Sequence, residues 1–332
     1  MVNINSIESI LIIRLSSLGD ILLTTPLLRT LRKYNEGIKI DFVLREQYQD
    51  TLRFNPHVWD LMLYKKPDNK DLFTSLKAKK YDLIVDLQNN MRSKELVKKL
   101  NAPVLKFHKR SIDKFLLVNF KVNRLKNAPQ IPLRYAASIP GLTLDDEGLE
   151  LFLPAGEMEF GKFEPGEKYI GLCPGSRHFT KMWPPEYFVE LGVLLSSEGY
   201  KVLLFGGRSD REICSRISAS IPDSADLSNE DDLFATASGM KACSAVICND
   251  SGMMHTACAV RTPVIALFGS TVREFGFAPY NNKNLILENN SLSCRPCSHI
   301  GRDKCPLGHF KCMREITPAT VLNNVKTMLS EL

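Results

Sequence analysis

The chain has 332 residues, of which 43 are Lys or Arg and 37 are Asp or Glu, and 44% are apolar. This composition is typical of a globular protein and excludes a disordered, collagen-like or coiled-coil chain. At about 150 residues per domain, the length predicts two domains. We expect no membrane span, because no apolar run approaches roughly 18 residues. The first apolar stretch, residues 10–13, has no basic segment before it, so we expect no secretory signal.

The net charge of +6 is unevenly distributed along the chain. Residues 1–134 carry 25 basic and 13 acidic side chains, whereas residues 135–332 carry 18 and 24. The basic surplus is densest in residues 79–126, with 13 basic and 4 acidic side chains. Such a region attracts nucleic acid, anionic lipid head groups or a phosphorylated substrate. A solvated basic face without a ligand explains the pattern equally well.

Apolar β-branched runs alternate with helical periodicity in the first half of the chain. Residues 21–34 predict a helix, with Leu22, Leu27, Leu28 and Leu31 on one side. Strands that alternate with helices predict a parallel sheet covered on both faces. The predicted strands are residues 10–15, 38–44, 61–64, 83–87 and 103–107.

The same alternation starts again after residues 140–166, which are rich in Pro, Gly and acidic residues. We therefore predict an α/β protein with two doubly wound parallel-sheet (Rossmann-like) domains, residues 1–155 and 156–332, facing each other across a cleft. A terminal helix is predicted at 318–332. The strands predicted in the second domain are 169–173, 201–205, 245–248 and 264–268. The helices predicted between them are 185–197, 210–221, 230–241 and 252–260.

Ligands of open α/β sheets bind at the carboxyl ends of strands, so residues that follow the predicted strands are candidate site residues. The first strand leads through residues 16–19, which are small except for Leu18, to Asp20. Asp20 is either the N-cap of the next helix or a general base. The chain contains neither Gly-x-Gly-x-x-Gly nor a P-loop motif, which disfavours a dehydrogenase or a P-loop NTPase.

The strand ends of the second domain offer groups that suit a nucleoside diphosphate. Ser176, Thr180 and Lys181 supply hydroxyls and a cation, although an ordinary helix start is the alternative there. Asp210 is either a ribose ligand or a helix cap. His255 is either a phosphate ligand or a buried core histidine. The loops after the last two predicted strands form further anion-binding helix entrances, with the candidates Asp250, Ser251, Gly252, His255 and Thr271.

Four of the nine cysteines lie close together in a Cys-rich segment, residues 294–312. The other five are scattered over predicted strands and helices, as small buried side chains in a reducing compartment are. A structural zinc site, packed free thiols and disulfides are three alternatives for the segment. Its spacing lacks the tight second pair of a typical zinc ribbon. The four residues are Cys294, Cys297, Cys305 and Cys312.

Taken in order, these motifs resemble glycosyltransferase family 9, the ADP-heptose:lipopolysaccharide heptosyltransferases. The resemblance runs from about residue 10 to residue 318, and the Cys-rich segment brings the chain closer to heptosyltransferase II-type members. Met182 stands where the family commonly has Arg or His, and Ser270 where it usually has Pro; both concern the placement of the donor. The resemblance is carried by residues 12–26, 82–87, 174–176, 181–184, 249–252, 254–257 and 263–269.

This resemblance implies a GT-B architecture, in which the N-terminal domain binds the acceptor and the C-terminal domain binds the nucleotide sugar. It implies an inverting transfer of heptose from ADP-heptose onto the inner core of lipopolysaccharide, without a cofactor for catalysis. Asp20 is then the base, Lys181 the diphosphate ligand, and residues 250–252 the loop at the donor phosphates. The expected acceptor-binding residues are Arg14, Ser17, Gly19, Lys98, Lys99, Lys109 and Arg110.

The expected partners are ADP-heptose, a lipid A–Kdo type acceptor and the anionic inner membrane of a Gram-negative-type bacterium, contacted from the cytoplasm. No nucleic acid is expected. Three alternatives stay open: a glycosyltransferase using another nucleotide sugar, such as a UDP-hexosamine; a sugar-nucleotide-binding protein without catalysis; and a nucleic-acid-binding protein with a zinc module. The last does not account for the strand-end motifs, and the basic run lacks interleaved aromatic residues.

Overall fold

The computed structural model describes residues 4–154, 163–164 and 166–331. These residues form two α/β units. The first contains residues up to 109 together with 129–154, and the second contains 110–128 and the residues from 163 onward. The predicted boundary between residues 155 and 156 lies outside the described residues. Within the described ranges, no helix is long and apolar enough to cross a membrane.

The first unit is built on a five-stranded parallel sheet with the strand order β3-β2-β1-β4-β5. The strands are β1 (Ser9–Ile13), β2 (Lys39–Arg45), β3 (Asp60–Tyr64), β4 (Leu83–Asp86) and β5 (Val104–Lys106). The central strand β1 pairs with β2 and β4, and its apolar residues are fully buried, as expected for a strand covered on both faces. All five strands match predicted ones.

The helices of the first half are shorter than the periodicity predicts. The single helix predicted at 21–34 is two helices, because Pro26 has no amide hydrogen to donate to the carbonyl of Leu22. The helices are α1 (Leu18–Leu22), α2 (Thr25–Tyr34), α3 (Lys70–Ala78), α4 (Met91–Val97), α5 (Ser111–Phe120) and α6 (Ile131–Ala136). Of these, α5 belongs to the second unit.

The second unit is built on a six-stranded parallel sheet with the order β11-β10-β9-β6-β7-β8. Its strands are β6 (Tyr169–Cys173), β7 (Lys201–Leu204), β8 (Ala225–Asp226), β9 (Ala245–Asn249), β10 (Val264–Phe268) and β11 (Asn284–Glu288). Its later helices are α7 (Pro185–Ser197), α8 (Arg211–Ser218), α9 (Leu233–Lys241), α10 (Gly252–Ala259), α11 (Lys311–Arg314) and α12 (Pro318–Ser330). The edge strands β8 and β11 were not predicted, because β8 is only two exposed residues long and β11 is only partly buried.

Residues 110–128 are grouped differently from the sequence-based assignment, which placed them in the first domain. They belong to the second unit because two of their leucines are buried against it. Lys121 also donates hydrogen bonds from Nζ to the carbonyl oxygens of Cys294 (3.1 Å) and Pro296 (2.7 Å). No change in composition marks this crossing in the sequence. The buried cluster consists of Leu117, Leu125, Val272 and Phe275.

A buried arginine fastens residues 145–150 to α2 of the first unit. The Arg29 side chain is 3% exposed and pairs with Asp145 (2.5 Å) and Glu150 (2.9 Å). It also donates to the carbonyl of Gly148 at 2.9 Å. The hydrogen bond from Arg29 holds the pKa of the Asp145 carboxyl well below its usual range. The contact therefore stabilises the fold while Asp145 is ionised.

Replacing Arg29 by Met should lower the free energy of unfolding by about 2 kcal/mol at neutral pH, because it removes a buried guanidinium and its hydrogen bonds from two partly buried carboxylates, although Asp145 keeps its ion pair with Lys33. Because the folded-state pKa of Asp145 is depressed, this contribution is present above the unfolded-state pKa and is lost as the pH falls through the folded-state pKa. The difference between variant and wild type should therefore shrink in acid. Urea denaturation across pH measures it. Arg53→Met is the control: its side chain is 57% exposed and makes one ion pair, so a loss of less than about 0.5 kcal/mol is expected. An equal loss in both variants would contradict this account.

Candidate active site

In the first unit, Asp20 lies in the first turn of α1, just beyond the carboxyl end of β1. Its Oδ1 lies 2.6 Å from an Arg14 guanidinium nitrogen. Its Oδ2 accepts hydrogen bonds from the backbone N–H of Ser17 (3.0 Å) and the Ser17 hydroxyl (2.8 Å). Ser17 is the N-cap, so Asp20 is the third helical residue and completes a capping box. The Asp20 side chain nevertheless keeps 18% of its surface exposed, which leaves room for a substrate hydroxyl.

The surroundings of Asp20 keep it ionised. Burial raises the pKa of its carboxyl, but the charge of Arg14 and the hydrogen bonds from Ser17 outweigh burial and hold the pKa below its ordinary value. A general base must be unprotonated to act, and Asp20 meets that condition at neutral pH at some cost in basicity.

Two residues that the sequence analysis did not select support this loop. The Gln88 side-chain oxygen accepts hydrogen bonds from the backbone N–H groups of Leu15 (2.8 Å) and Ser16 (3.2 Å). The Arg14 guanidinium lies 5.7 Å from the centre of the buried Tyr135 ring. Gln88 follows β4, so the strand-end criterion that selected Asp20 applies to it as well. Tyr135 lies in α6, and no local pattern marks it.

The predicted basic acceptor residues lie on different elements of the two units. Lys98 and Lys99 are exposed at the end of α4, and the Lys99 ammonium lies 3.6 Å from the centre of the Phe73 ring. Lys109 follows β5, where burial lowers the pKa of its ammonium and the charge of Arg14 lowers it further. Arg110 opens the segment that belongs to the second unit. Gly19 is buried inside α1.

Replacing Arg14 by Gln should move the acidic limb of kcat/KM to higher pH, if Asp20 is the base. The limb reports the pKa of the free enzyme's base, and removing the cation leaves burial, which raises that pKa. In the wild type the limb should lie below the ordinary aspartate value of 3.8. The exposed Arg92, changed to Gln, is the control and should leave the limb in place. If the acidic limb of the kcat/KM profile stayed in place in the Arg14 variant, Asp20 would not be the base that the limb reports.

In the second unit, three predicted donor residues from three different strand ends meet at one edge of the sheet. Lys181 follows β6, Asp250 follows β9 and Thr271 follows β10. The Lys181 ammonium lies 2.7 Å from Asp250 Oδ2, and the Thr271 hydroxyl donates to the same oxygen at 2.6 Å. The Asp250 side chain is 9% exposed and that of Lys181 15%. A cation, a hydroxyl and a buried carboxylate are therefore held together where parallel sheets bind ligands.

Asp210 lies beside this edge, against the loop that contains Ser176. Its carboxylate accepts a hydrogen bond from the backbone of Gly207 at 3.2 Å, and burial raises its pKa despite that bond. It packs so closely on Gly175 that a β-carbon there would lie 2.3 Å from Oδ1. A side chain at position 175 would therefore displace the Asp210 carboxylate from its present position. Ser176 follows it and is partly exposed.

The entrance of α10 carries the remaining candidates. Ser251 is its N-cap, and the Ser251 hydroxyl is buried without a hydrogen-bond partner in the part of the chain that the structure describes. A buried donor of this kind is costly unless a ligand or water satisfies it. Gly252 is the first residue of the helix and is partly exposed, whereas His255 lies one turn further on and is 4% exposed.

Thr180 is held in a structural contact. Its hydroxyl accepts a hydrogen bond from the backbone N–H of Arg302 (2.8 Å) and donates to the Arg302 carbonyl (3.2 Å). Its side chain is 1% exposed. These contacts tie Thr180 to the Cys-rich segment.

Another residue that the sequence analysis did not select, Arg295, supports the loop after β10. The buried Arg295 guanidinium donates to the carbonyl oxygens of Gly269 (2.6 Å) and Thr271 (2.9 Å) and pairs with Glu288 (2.9 Å). The Cys-rich segment thus positions the backbone of Thr271, whose hydroxyl contacts Asp250. The only sequence feature that marks Arg295 is its position next to Cys294, and the cysteine spacing by itself predicts a role for the thiols rather than for the arginine.

The four cysteines of this segment are free thiols. Burial raises the pKa of Cys312 to about 12 and also raises that of Cys297. The Cys294 sulfur lies 3.9 Å from His309 Nε2. Across residues 4–154, 163–164 and 166–331, no three His, Cys, Asp or Glu side chains are grouped so that they could hold a metal ion. As arranged, the segment does not provide a zinc site.

Two parallel-sheet α/β units with ionic and hydroxyl groups at their strand ends define the architecture of a GT-B glycosyltransferase. The chain belongs to glycosyltransferase family 9 (heptosyltransferase), whose model matches residues 70–307. This confirms the predicted fold class and family. The chain is 26% identical to lipooligosaccharide heptosyltransferase 2 of Campylobacter jejuni, over 94% of this chain and 95% of that protein.

Solved structures agree with this assignment. A glycosyltransferase family 9 structure from Veillonella parvula superposes with a TM-score of 0.80 at 25% identity, covering 98% of each chain. The E. coli ADP-heptose lipopolysaccharide heptosyltransferase II superposes with a TM-score of 0.76 at 25% identity, covering 97% of this chain and 99% of that one.

Proposed function

We propose that this protein transfers heptose from ADP-heptose onto the inner core of lipopolysaccharide, with inversion at the anomeric carbon. The observation that carries the proposal is the group formed by Lys181, Asp250 and Thr271 beside the unpartnered hydroxyl of Ser251. Such a group suits an anionic diphosphate. The similar proteins named above are heptosyltransferases, and this similarity indicates the substrate class.

Inversion requires a single displacement, so one base is sufficient. We assign to Asp20 the removal of the proton from the acceptor hydroxyl as its oxygen attacks the anomeric carbon. The bond from that carbon to the diphosphate breaks, and negative charge grows on the departing ADP. Lys181, Ser251 and the backbone donors at the start of α10 are placed to stabilise that charge.

On the acceptor side, the proposal assigns Arg14 and Lys109 to the sugar and phosphate groups of a lipid A–Kdo type acceptor, whereas Ser17 caps α1 and Gly19 is buried inside that helix. Arg14 is also a positioning residue, because it holds Asp20. We further propose that the enzyme works in the cytoplasm, at the anionic inner membrane. Free cysteines are usual in a reducing compartment.

A panel of donors and acceptors, monitored for release of the nucleotide, tests the proposal. ADP-heptose with a heptose-deficient lipopolysaccharide should give turnover, and a UDP-hexosamine should not. Turnover with the UDP-hexosamine alone would show that the enzyme uses another class of nucleotide sugar as its donor. Binding of ADP without acceptor-dependent release would make it a sugar-nucleotide-binding protein.

Because Lys181 and backbone donors stabilise the leaving group in this proposal, turnover should persist in EDTA within about twofold of the untreated rate. A parallel reaction with added Mg²⁺ is the control for ionic effects. Loss of turnover in EDTA that added Mg²⁺ restores would contradict the metal-free assignment. Loss that only zinc restores would instead support the structural-zinc hypothesis for the Cys-rich segment, which titration of its thiols in the reduced protein tests separately.

A further inference from the structure

The helix α5 in the second unit leaves large apolar side chains in solvent. Ile112 is 74% exposed, Phe115 57% and Phe120 64%. Val122, just past the end of the helix, is 46% exposed. We call these four residues the α5 apolar surface. Large apolar side chains exposed this close together in the chain mark a site of interaction.

One side of α5 is buried against the second unit, and another side is exposed. Leu117 is buried and packs with Val272 and Phe275 of the same unit. Ile112 and Phe115 follow the spacing i and i+3, so they lie on the side of the helix away from Leu117, and Phe120, in the last turn, reaches Phe115 through its ring. The Phe115 and Phe120 rings meet edge to face, with centres 5.9 Å apart. The exposed side is thus a preformed cluster on an anchored helix.

The segment that carries this surface is strongly basic, although Glu274 of the same unit accepts a hydrogen bond from Asn123 at its end. Residues 110–128 contain five basic side chains and a single acid, Asp113. Arg124 and Lys126 are exposed. Phenylalanine and isoleucine flanked by Lys and Arg are the composition of helices that lie in the interface of an anionic bilayer.

The charge also argues against a second copy of this chain as the occupant. A two-fold contact would bring the same patch of each copy face to face, and each patch has the same excess of positive charge. Like charges opposed across an interface are unfavourable. An anionic lipid surface offers the opposite charge and an apolar layer beneath it.

We propose that α5 docks this enzyme on an anionic membrane, with the α5 apolar surface inserted among the lipids and the neighbouring cations on the head groups. This inference rests on the proposed function in one respect: a lipid-anchored acceptor places the substrate in that membrane. It assigns membrane contact to the second unit, which includes Arg110, whereas the sequence pointed also to Lys98, Lys99 and Lys109 of the first unit.

The test is co-sedimentation of the full chain with vesicles of phosphatidylcholine, alone or with about one third phosphatidylglycerol. The wild type should bind the anionic vesicles. The variant Ile112→Ser/Phe115→Ser/Phe120→Ser should bind them at least about tenfold more weakly, because it loses the apolar area that would insert. Replacing Arg124 and Lys126 by Gln should weaken binding to anionic vesicles about fivefold per cation and reduce its salt dependence.

The matched control is Met91→Ser/Leu307→Ser, which removes two apolar side chains that are 80% and 63% exposed elsewhere on the chain. It should bind vesicles like the wild type. Unchanged vesicle binding in the α5 triple variant would overturn the proposal. If that variant also turned a wild-type dimer into a monomer, the surface would be an interface between copies.

Turnover separates this inference from the proposed function. With ADP-heptose and a delipidated, water-soluble acceptor, the α5 triple variant should match the wild type, because the substituted side chains lie outside the assigned site. Failure of the wild type on every heptose acceptor would refute the proposed function and leave the vesicle result standing. Loss of vesicle binding in the control as well as the triple variant would mean that α5 has no special role.

Discussion

Replacing Asp20 by Asn should lower turnover by at least about 100-fold, because the variant cannot accept the acceptor proton. Asn keeps an oxygen that can accept the hydrogen bonds from Ser17, so the helix start is retained. The affinity for ADP should stay within about threefold, since donor binding is assigned to the other unit. Acceptor-dependent ADP release, ADP titration and thermal unfolding measure the three quantities.

The variant Ser17→Ala distinguishes the base from the cap. It removes the N-cap hydroxyl, at a cost of about 1 kcal/mol in stability, but leaves Asp20 ionised beside Arg14. Its turnover should fall by less than about tenfold. If the Asp20 variant retained near wild-type turnover with an intact fold, its carboxylate would serve only the capping box.

Replacing Lys181 by Ala should weaken ADP binding by at least about 100-fold. The loss exceeds that of a single contact for an electrostatic reason. Asp250 is 6% exposed, and without the ammonium its charge would face the diphosphate unneutralised. Calorimetric titration of ADP measures the effect.

The double variant Lys181→Ala/Asp250→Asn shows whether Lys181 acts on the ligand or only on Asp250. Because it removes the unpaired charge, it should regain part of the lost affinity and remain at least about tenfold weaker than the wild type. Full recovery of ADP binding in the double variant would show that Lys181 only neutralises Asp250 and does not itself bind ADP.

Of the eleven strands in the described part of the chain, the sequence predicted nine, together with the strand ends that carry the site, because buried parallel strands have long apolar runs. Asp20, Lys181, Asp250 and Thr271 were all selected by their positions just after strands. The meeting of the last three at one carboxylate oxygen was not predictable, since it depends on the register of three strands that are distant in sequence.

Supporting residues were harder to predict, because what they touch is distant in the chain. Tyr135 lies under Arg14 from a helix more than a hundred residues away. Residues 110–128 have the composition of the first domain but pack on the second. The basic run in the sequence predicted an acceptor patch of four residues, but one of them, Arg110, belongs to the second unit.

The contacts of Arg295 and Lys121 have a consequence for exchange of parts between related enzymes. Lys121, at the end of α5, binds the carbonyls on both sides of Arg295, and Arg295 binds the carbonyls of the loop that carries Thr271. A transplanted loop of residues 268–271 would arrive without the guanidinium that shapes it. To keep its conformation, the loop would therefore have to be exchanged together with residues 110–128 and the Cys-rich segment. Recombination between related enzymes would have to transfer all three segments at once.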